Sequence, residues 1–200
     1  MKKNSDIKNV WQVYEKSLQG TGLFGSPNKV YIHISDARNL IMNGLTYYCG
    51  DKGIWQPEYD AIADWLENNG GRGLWLCGEC GRGKTLIGGK ILPILFNFYN
   101  FPRKIISVYD AKDMNEHYKD IISKHIIYID DVGKESMSVQ YGNKHLCFSD
   151  IVDETEKKGK LLIFSTNLTQ EEMLAKYGER TVDRLRGITK KVIFKGKSLR

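Results

Sequence analysis

Eight consecutive residues leave few folds open to this chain. Gly78-Glu79-Cys80-Gly81-Arg82-Gly83-Lys84-Thr85 meets the G-x-x-x-x-G-K-[ST] template at every fixed position. Glycines at 78, 81 and 83 let the backbone wrap closely and turn its N–H groups inward, which makes an anion nest at a helix N-terminus. Gly73-Leu74-Trp75-Leu76-Cys77 before it reads as a short buried strand, and Leu86 to Leu92 after it opens a helix. In that setting Lys84 reaches the β- and γ-phosphates as a mobile point charge, and the Thr85 hydroxyl ligates Mg²⁺. The expectation is a nucleoside triphosphate site cradled by Gly78, Glu79, Cys80, Gly81, Arg82, Gly83, Lys84 and Thr85, with ATP and Mg²⁺ as cofactors.

A second stretch supports the first. His125-Ile126-Ile127-Tyr128-Ile129-Asp130-Asp131 is a β-branched run that ends in two carboxylates. Such a strand is apolar where both faces are buried and acidic where it emerges at the sheet's carboxyl edge. Asp130 would hold Mg²⁺, directly or through water, and Asp131 would polarise the attacking water. Leu161-Leu162-Ile163-Phe164-Ser165-Thr166-Asn167 is another buried run with a polar end, so Asn167 points toward the same edge and helps position that water.

Length and composition set the bounds. Two hundred residues, with 41% hydrophobic and 27% charged, make one soluble globular domain with at most a small appendage. No run is long and apolar enough for a transmembrane helix, and the polar start Met1-Lys2-Lys3-Asn4 lacks a signal-peptide core, so a cytoplasmic protein with no membrane partner is expected. Four cysteines make no disulfide framework at this length, and Cys77-x-x-Cys80 lies across the backbone that must hold phosphate. A net charge of +6 permits nucleic-acid binding, with Lys190, Lys191, Lys195, Lys197 and Arg200 crowding the C-terminus.

The remaining elements read as alternating strands and helices. Residues 1–50 form an N-terminal helical or extended segment, with Val10, Val13, Tyr14 and Leu18 at helical spacing before Gly20, Gly22, Gly25 and Pro27. Val30 to Ile34 suggests a short strand and Ala37 to Tyr48 a helix. Pro57 starts a clearer helix with Tyr59, Ile62 and Leu66 on one apolar face, ended by Gly70-Gly71. Gly88-Gly89 and Pro93 weaken or kink the helix after the phosphate loop. Lys104 to Tyr109 reads as a strand, Ala111 to Lys119 as a helix, and residues 133–143 as a loop. Cys147, Phe148, Ile151, Val152 and Thr155 recur at helical spacing. Thr169 and Glu172 form a capping box for a helix that reaches Gly178. Glu179 to Arg186 is a further short helix, and Val192 to Phe194 a last strand. The sum is a parallel sheet with right-handed crossovers and its site at the strands' carboxyl ends.

Taken in order, the phosphate loop, Ile129-Asp130-Asp131-Val132-Gly133, Ser165-Thr166-Asn167-Leu168, the run Tyr177 to Leu185 and the closing Lys197 to Arg200 resemble AAA+ ATPases. More narrowly, they are similar to the bacterial helicase-loader group (DnaC/DnaI-like) and its transposon-helper relatives (IstB-like). The resemblance covers residues 55 to 200 and sets the boundary of an AAA+ domain over 51–200, with 1–50 as a candidate partner-docking segment. It implies a P-loop NTPase of the ASCE type, a parallel five-stranded sheet sandwiched by helices with little or no lid domain.

The same resemblance assigns roles. Lys84 and Thr85 match Walker A, Asp130 and Asp131 Walker B, and Asn167 the sensor-1 residue. Arg180 and Arg184 match arginine fingers that reach a neighbouring subunit's site, and Arg200 a sensor-2 arginine. A planar guanidinium neutralises charge developing on the γ-phosphoryl group. A homo-oligomeric ring or spiral formed with ATP is implied, as is single-stranded DNA, with Tyr109, His117, Tyr118 and Lys119 as aromatic and basic candidates. The replicative helicase or a transposase would be the protein partner. Asp131 stands where many AAA+ proteins have Glu, which points to slow turnover, and residues 1–50 lack the cysteine cluster of zinc-bearing loaders. The leading expectation is an ATP-hydrolysing helicase loader or remodeler in DNA replication. A transposition helper, an ATP-gated DNA-binding assembly module with negligible turnover, and a small-molecule kinase are the rival readings.

Overall fold

Side chains that alternate along each strand enter two different cores, and that division sets the architecture. The computed structural model describes Val13 and residues 29–100, 102–136, 138–140 and 143–199. Its strands in chain order are β1 (Gly73–Gly78), β2 (Ser107–Asp110), β3 (Ile126–Val132), β4 (Ser138–Gln140), β5 (Asn143–His145), β6 (Leu161–Thr166) and β7 (Thr189–Phe194). Five of them form one sheet in the order β2-β3-β6-β1-β7, and every pairing in it is parallel. Leu74, Leu76, Tyr128, Ile163 and Phe194 face one core, while Trp75, Cys77, Ile127, Ile129 and Phe164 face the other. The strands buried on both faces are the apolar runs of the sequence, since a parallel sheet covered by helices leaves no wet side.

Helices α1 (Ala37–Cys49) and α2 (Glu58–Glu67) cover the first face. So does α3, which starts at Lys84–Leu86, widens to π geometry over Ile87–Ile91 and continues as Leu92–Phe98. On the second face lie α4 (Met114–Ile121), α5 (Cys147–Lys158) and α6 (Gln170–Ile188). The resulting three-layer α/β sandwich is the P-loop fold expected from the motif order. After β7 the described residues run past the phosphate loop, with the Leu199 amide donating to the Gly81 carbonyl (3.0 Å). Among the described residues no helix is long and apolar enough to cross a membrane.

Ile32, Ile34, Ala37, Ile41 and Leu45 share the first core with Leu66 and Leu74, so residues 32–45 pack into the same body as the sheet. Several elements differ from the reading of the sequence. Residues 30–34 alternate in burial as a strand does but join no ladder. The Asn69 side chain instead takes the Ile32 amide (3.0 Å) and donates to the Val30 carbonyl (2.9 Å). The segment 133–143 is not all loop, because β4 and β5 form a two-stranded hairpin there. The expected break at Gly178 is present: its backbone leaves helical geometry (φ 77°, ψ 162°), so α6 is two helices joined across that residue. The helical spacing of Val10, Tyr14 and Leu18 lies outside the described residues.

Candidate functional site

The phosphate loop joins β1 to α3 through residues only glycine tolerates. Gly78, Gly81 and Gly83 have φ of 134°, 79° and 87°. A Cβ on Gly78 would lie 2.1 Å from the Phe194 carbonyl oxygen, because β7 pairs directly beside the loop's first residue. Lys84 is buried, and its Nζ donates to the carbonyls of Gly78 and Glu79, both at 2.7 Å. Two of three N–H bonds thus hold the ammonium over the loop it serves. Burial pulls the Lys84 pKa down, with the charge of Asp131 leading the opposing pull.

Arg82 behaves differently from its neighbours. Its side chain is buried and turns back to Glu58 (2.8 Å), Gln56 (3.1 Å) and the Lys197 carbonyl (3.1 Å). The guanidinium therefore ties the loop to the start of α2 and to the segment after β7. Of the eight loop residues expected to cradle phosphate, Arg82 has its side chain committed elsewhere, which leaves only its backbone for that role.

The two carboxylates of β3 meet the loop from across the sheet. Thr85 Oγ1 donates to Asp130 Oδ1 (3.1 Å), and the same oxygen accepts from Ser165 Oγ (2.6 Å) and Tyr128 OH (2.5 Å). The register between β3 and β6 shifts between Ile129 and Val132, and Asp131 there adopts φ 55°, the left-handed region. That bulge turns two successive carboxylates to the site rather than to opposite faces. Asp131 accepts from Asn167 Nδ2 (3.1 Å) and from Lys134 Nζ (2.6 Å), and its amide donates to Ser165 Oγ (2.8 Å). Asn167, Asp130, Asp131, Thr85 and Lys84 are brought together as the sequence suggested. Ser165, Tyr128 and Lys134 were not foreseen as members of the site. The signal for Ser165 and Tyr128 was their place on the same strands, near the carboxyl edge.

A cavity of about 510 Å³ opens beside these groups, lined by loop residues Cys80 to Thr85, by Asp131 and Asn167, and by Tyr48, Ile54 and Leu199. Its size suits a nucleotide-sized ligand. Lys84, Asp131 and Asn167 give the cavity polar groups, and Leu45, Tyr48, Ile54 and Tyr59 give it apolar and aromatic surface. Mg²⁺ takes hard oxygen donors, keeps most of its waters and uses one or two protein oxygens beside phosphates. A threonine hydroxyl 3.1 Å from a carboxylate fits that demand.

The remaining candidates lie apart. On α6, Arg180 pairs with Asp153 (3.3 Å), and Arg184 pairs with Asp153 and with Glu156 (2.9 Å) on α5. Neither reaches its own chain's phosphate loop in these contacts. Arg200 lies outside the described residues. Tyr109 donates to Asp120 (2.6 Å) and packs near His117, whereas Tyr118 is half-buried against the second core. Exposed His117 and Lys119 stand beside them on α4.

No protein-family model and no curated protein matches this chain. Solved structures do. A putative primosome component from Streptococcus pyogenes serotype M3 aligns over 84% of this chain and 88% of its own, with a TM-score of 0.50 at 16% identity. The DnaC helicase loader aligns over 82% and 94% (TM-score 0.48, 17% identity), and DnaI over 83% and 86% (0.44, 18%). At this level of identity, the likeness to the primosome component is a likeness of fold.

Proposed function

We propose that this chain binds Mg-ATP at the phosphate loop and hydrolyses it slowly, as an oligomeric AAA+ protein acting in the cytoplasm during DNA replication. One observation carries the nucleotide reading. Lys84 and Thr85 from α3, Asp131 from β3 and Asn167 after β6 line a single cavity at the sheet's carboxyl edge, and Asp130 is hydrogen-bonded to Thr85 beside it. Lys84 binds the β- and γ-phosphates, Thr85 and Asp130 hold Mg²⁺, Asp131 activates water, and Asn167 orients Asp131. Bound Mg²⁺ would neutralise charge between the phosphates. Arg180 and Arg184, turned away from their own loop, act on a neighbour's nucleotide.

The replication setting rests on the motif order and on a fold held in common with a primosome component. Single-stranded DNA and a replicative helicase are the proposed partners, with a transposase as the alternative and the N-terminal segment, residues 1–50, as the proposed docking element. ATP hydrolysis per subunit, followed over a protein dilution series with and without single-stranded DNA, tests this. A rate that climbs with concentration and responds to DNA is expected. A flat, DNA-blind rate removes the finger assignment.

A second reading is favoured by Asp131 itself. Its two carboxylate oxygens are already engaged, one by Lys134 and the other by Asn167, and so are less available to take a proton from water. The chain would then be an ATP-gated assembly module, and ATP binding without turnover at any concentration would establish it.

A further inference from the structure

Tyr128 is a costly choice for its position. It lies two residues before Asp130 on β3, so both side chains face the same layer, the one that holds α3. Its ring is fully buried beneath Gly88 and Gly89. A Cβ on Gly88 would lie 2.2 Å from ring atom Cε2 and 2.4 Å from Cζ, so no larger residue fits above the ring. Two adjacent glycines weaken a helix interior, and α3 adopts π geometry over Ile87–Ile91, the segment that holds them. Single π turns within α-helices recur at functional sites. An apolar residue at 128 beneath an alanine at 88 would make a simpler core.

What the arrangement delivers is a hydroxyl on a carboxylate. Tyr128 OH donates to Asp130 Oδ1 at 2.5 Å, shorter than the contacts of Ser165 (2.6 Å) and Thr85 (3.1 Å) to the same oxygen. Three hydroxyls from β3, β6 and α3 converge on one oxygen and fix the carboxylate's plane. Thr85 makes the longest of the three contacts, and of the three hydroxyls it is the one that lines the cavity, where its lone pairs can meet a metal ion.

We propose that Tyr128 is a positioning residue for the metal–nucleotide site. Its phenol, wedged under Gly88-Gly89, sets the orientation in which Asp130 and Thr85 receive Mg²⁺, and so sets the Mg²⁺ requirement of nucleotide binding. This rests on the nucleotide reading above.

The test is Tyr128→Phe in the full chain, which removes one oxygen and keeps the ring. A fluorescent ATP analogue is titrated in EDTA and across a Mg²⁺ series, beside a thermal melt. Binding in EDTA should match the parent, because the phosphate loop is untouched. The Mg²⁺ concentration giving half the metal-dependent gain should rise about tenfold, the size expected when a hydrogen bond to a charged group is lost. Ser165→Ala should shift it in the same direction and serves if the phenylalanine variant does not fold. An unchanged Mg²⁺ midpoint with a lowered melting temperature overturns the proposal and leaves Tyr128 a packing residue. A parent that binds the analogue but gains nothing from Mg²⁺ also overturns it while sparing the phosphate loop. A parent that binds no nucleotide overturns both.

Discussion

Asp131 shows how much one residue's backbone can decide. At φ 55° it occupies a region that disfavours most side chains and tolerates Asp and Asn. Asp131→Asn keeps the shape and removes the charge, so nucleotide affinity should hold while turnover falls roughly 10²-fold or more, as phosphate release would show. Undiminished turnover would remove Asp131 from the chemistry. In urea unfolding Asp131→Gly should exceed Asp131→Ala in stability by about 1 kcal/mol, since glycine alone adopts this φ freely. Lys84→Ala should abolish tight nucleotide binding, and binding at parental affinity would remove the phosphate-loop assignment. These residues were legible because charge at the end of an apolar strand has few uses. Tyr128 was not, because a tyrosine within Ile-Ile-Tyr-Ile also reads as a plain strand former.

Among elements, the attachment of the phosphate loop to α2 is the contact most open to test. Arg82 and Glu58 form an ion pair with side chains only 6% exposed each, and Arg82 Nε has no hydrogen-bond partner among the described residues. Breaking a buried pair strands one charge, so Glu58→Ala should cost about 3–5 kcal/mol in urea unfolding. A cost below about 1 kcal/mol would mean that water reaches the guanidinium. Gly88→Ala forces a methyl onto the Tyr128 ring and should cost about 1–3 kcal/mol by the same measurement. Strands and helices with strong periodicity were readable for the reason Glu58 was not. Periodicity reports which face is buried, whereas a long-range pairing leaves no mark on spacing. Residues 30–34 illustrate the limit: they alternate like a strand, yet the Asn69 side chain takes the place of a neighbouring one. The hairpin of β4 and β5 was hidden in a polar run with no apolar alternation to reveal it.

For the whole molecule, the proposed action of Arg180 and Arg184 in trans would make the active unit larger than one chain, and it can be tested by mixing subunits. Arg184→Ala should leave nucleotide binding intact and cut hydrolysis. Mixing it with Asp130→Ala subunits should restore part of the rate through mixed interfaces, and a mixture no more active than its parts would argue against action in trans.

The strand order carries a different consequence. β1, which launches the phosphate loop, is flanked by β6 and β7, the last strands of the sheet to be made. During synthesis Leu74, Trp75 and Leu76 leave the ribosome with neither neighbour yet translated, so both edges of β1 stay open for most of elongation. Open, apolar edges invite pairing with other chains. Nascent chains stalled near residue 160 should need a holding chaperone to remain soluble, and release past residue 194 should end that need. The placement that sets the phosphate loop between β6 and β7 also makes β1 the last interior strand to be closed in on both sides.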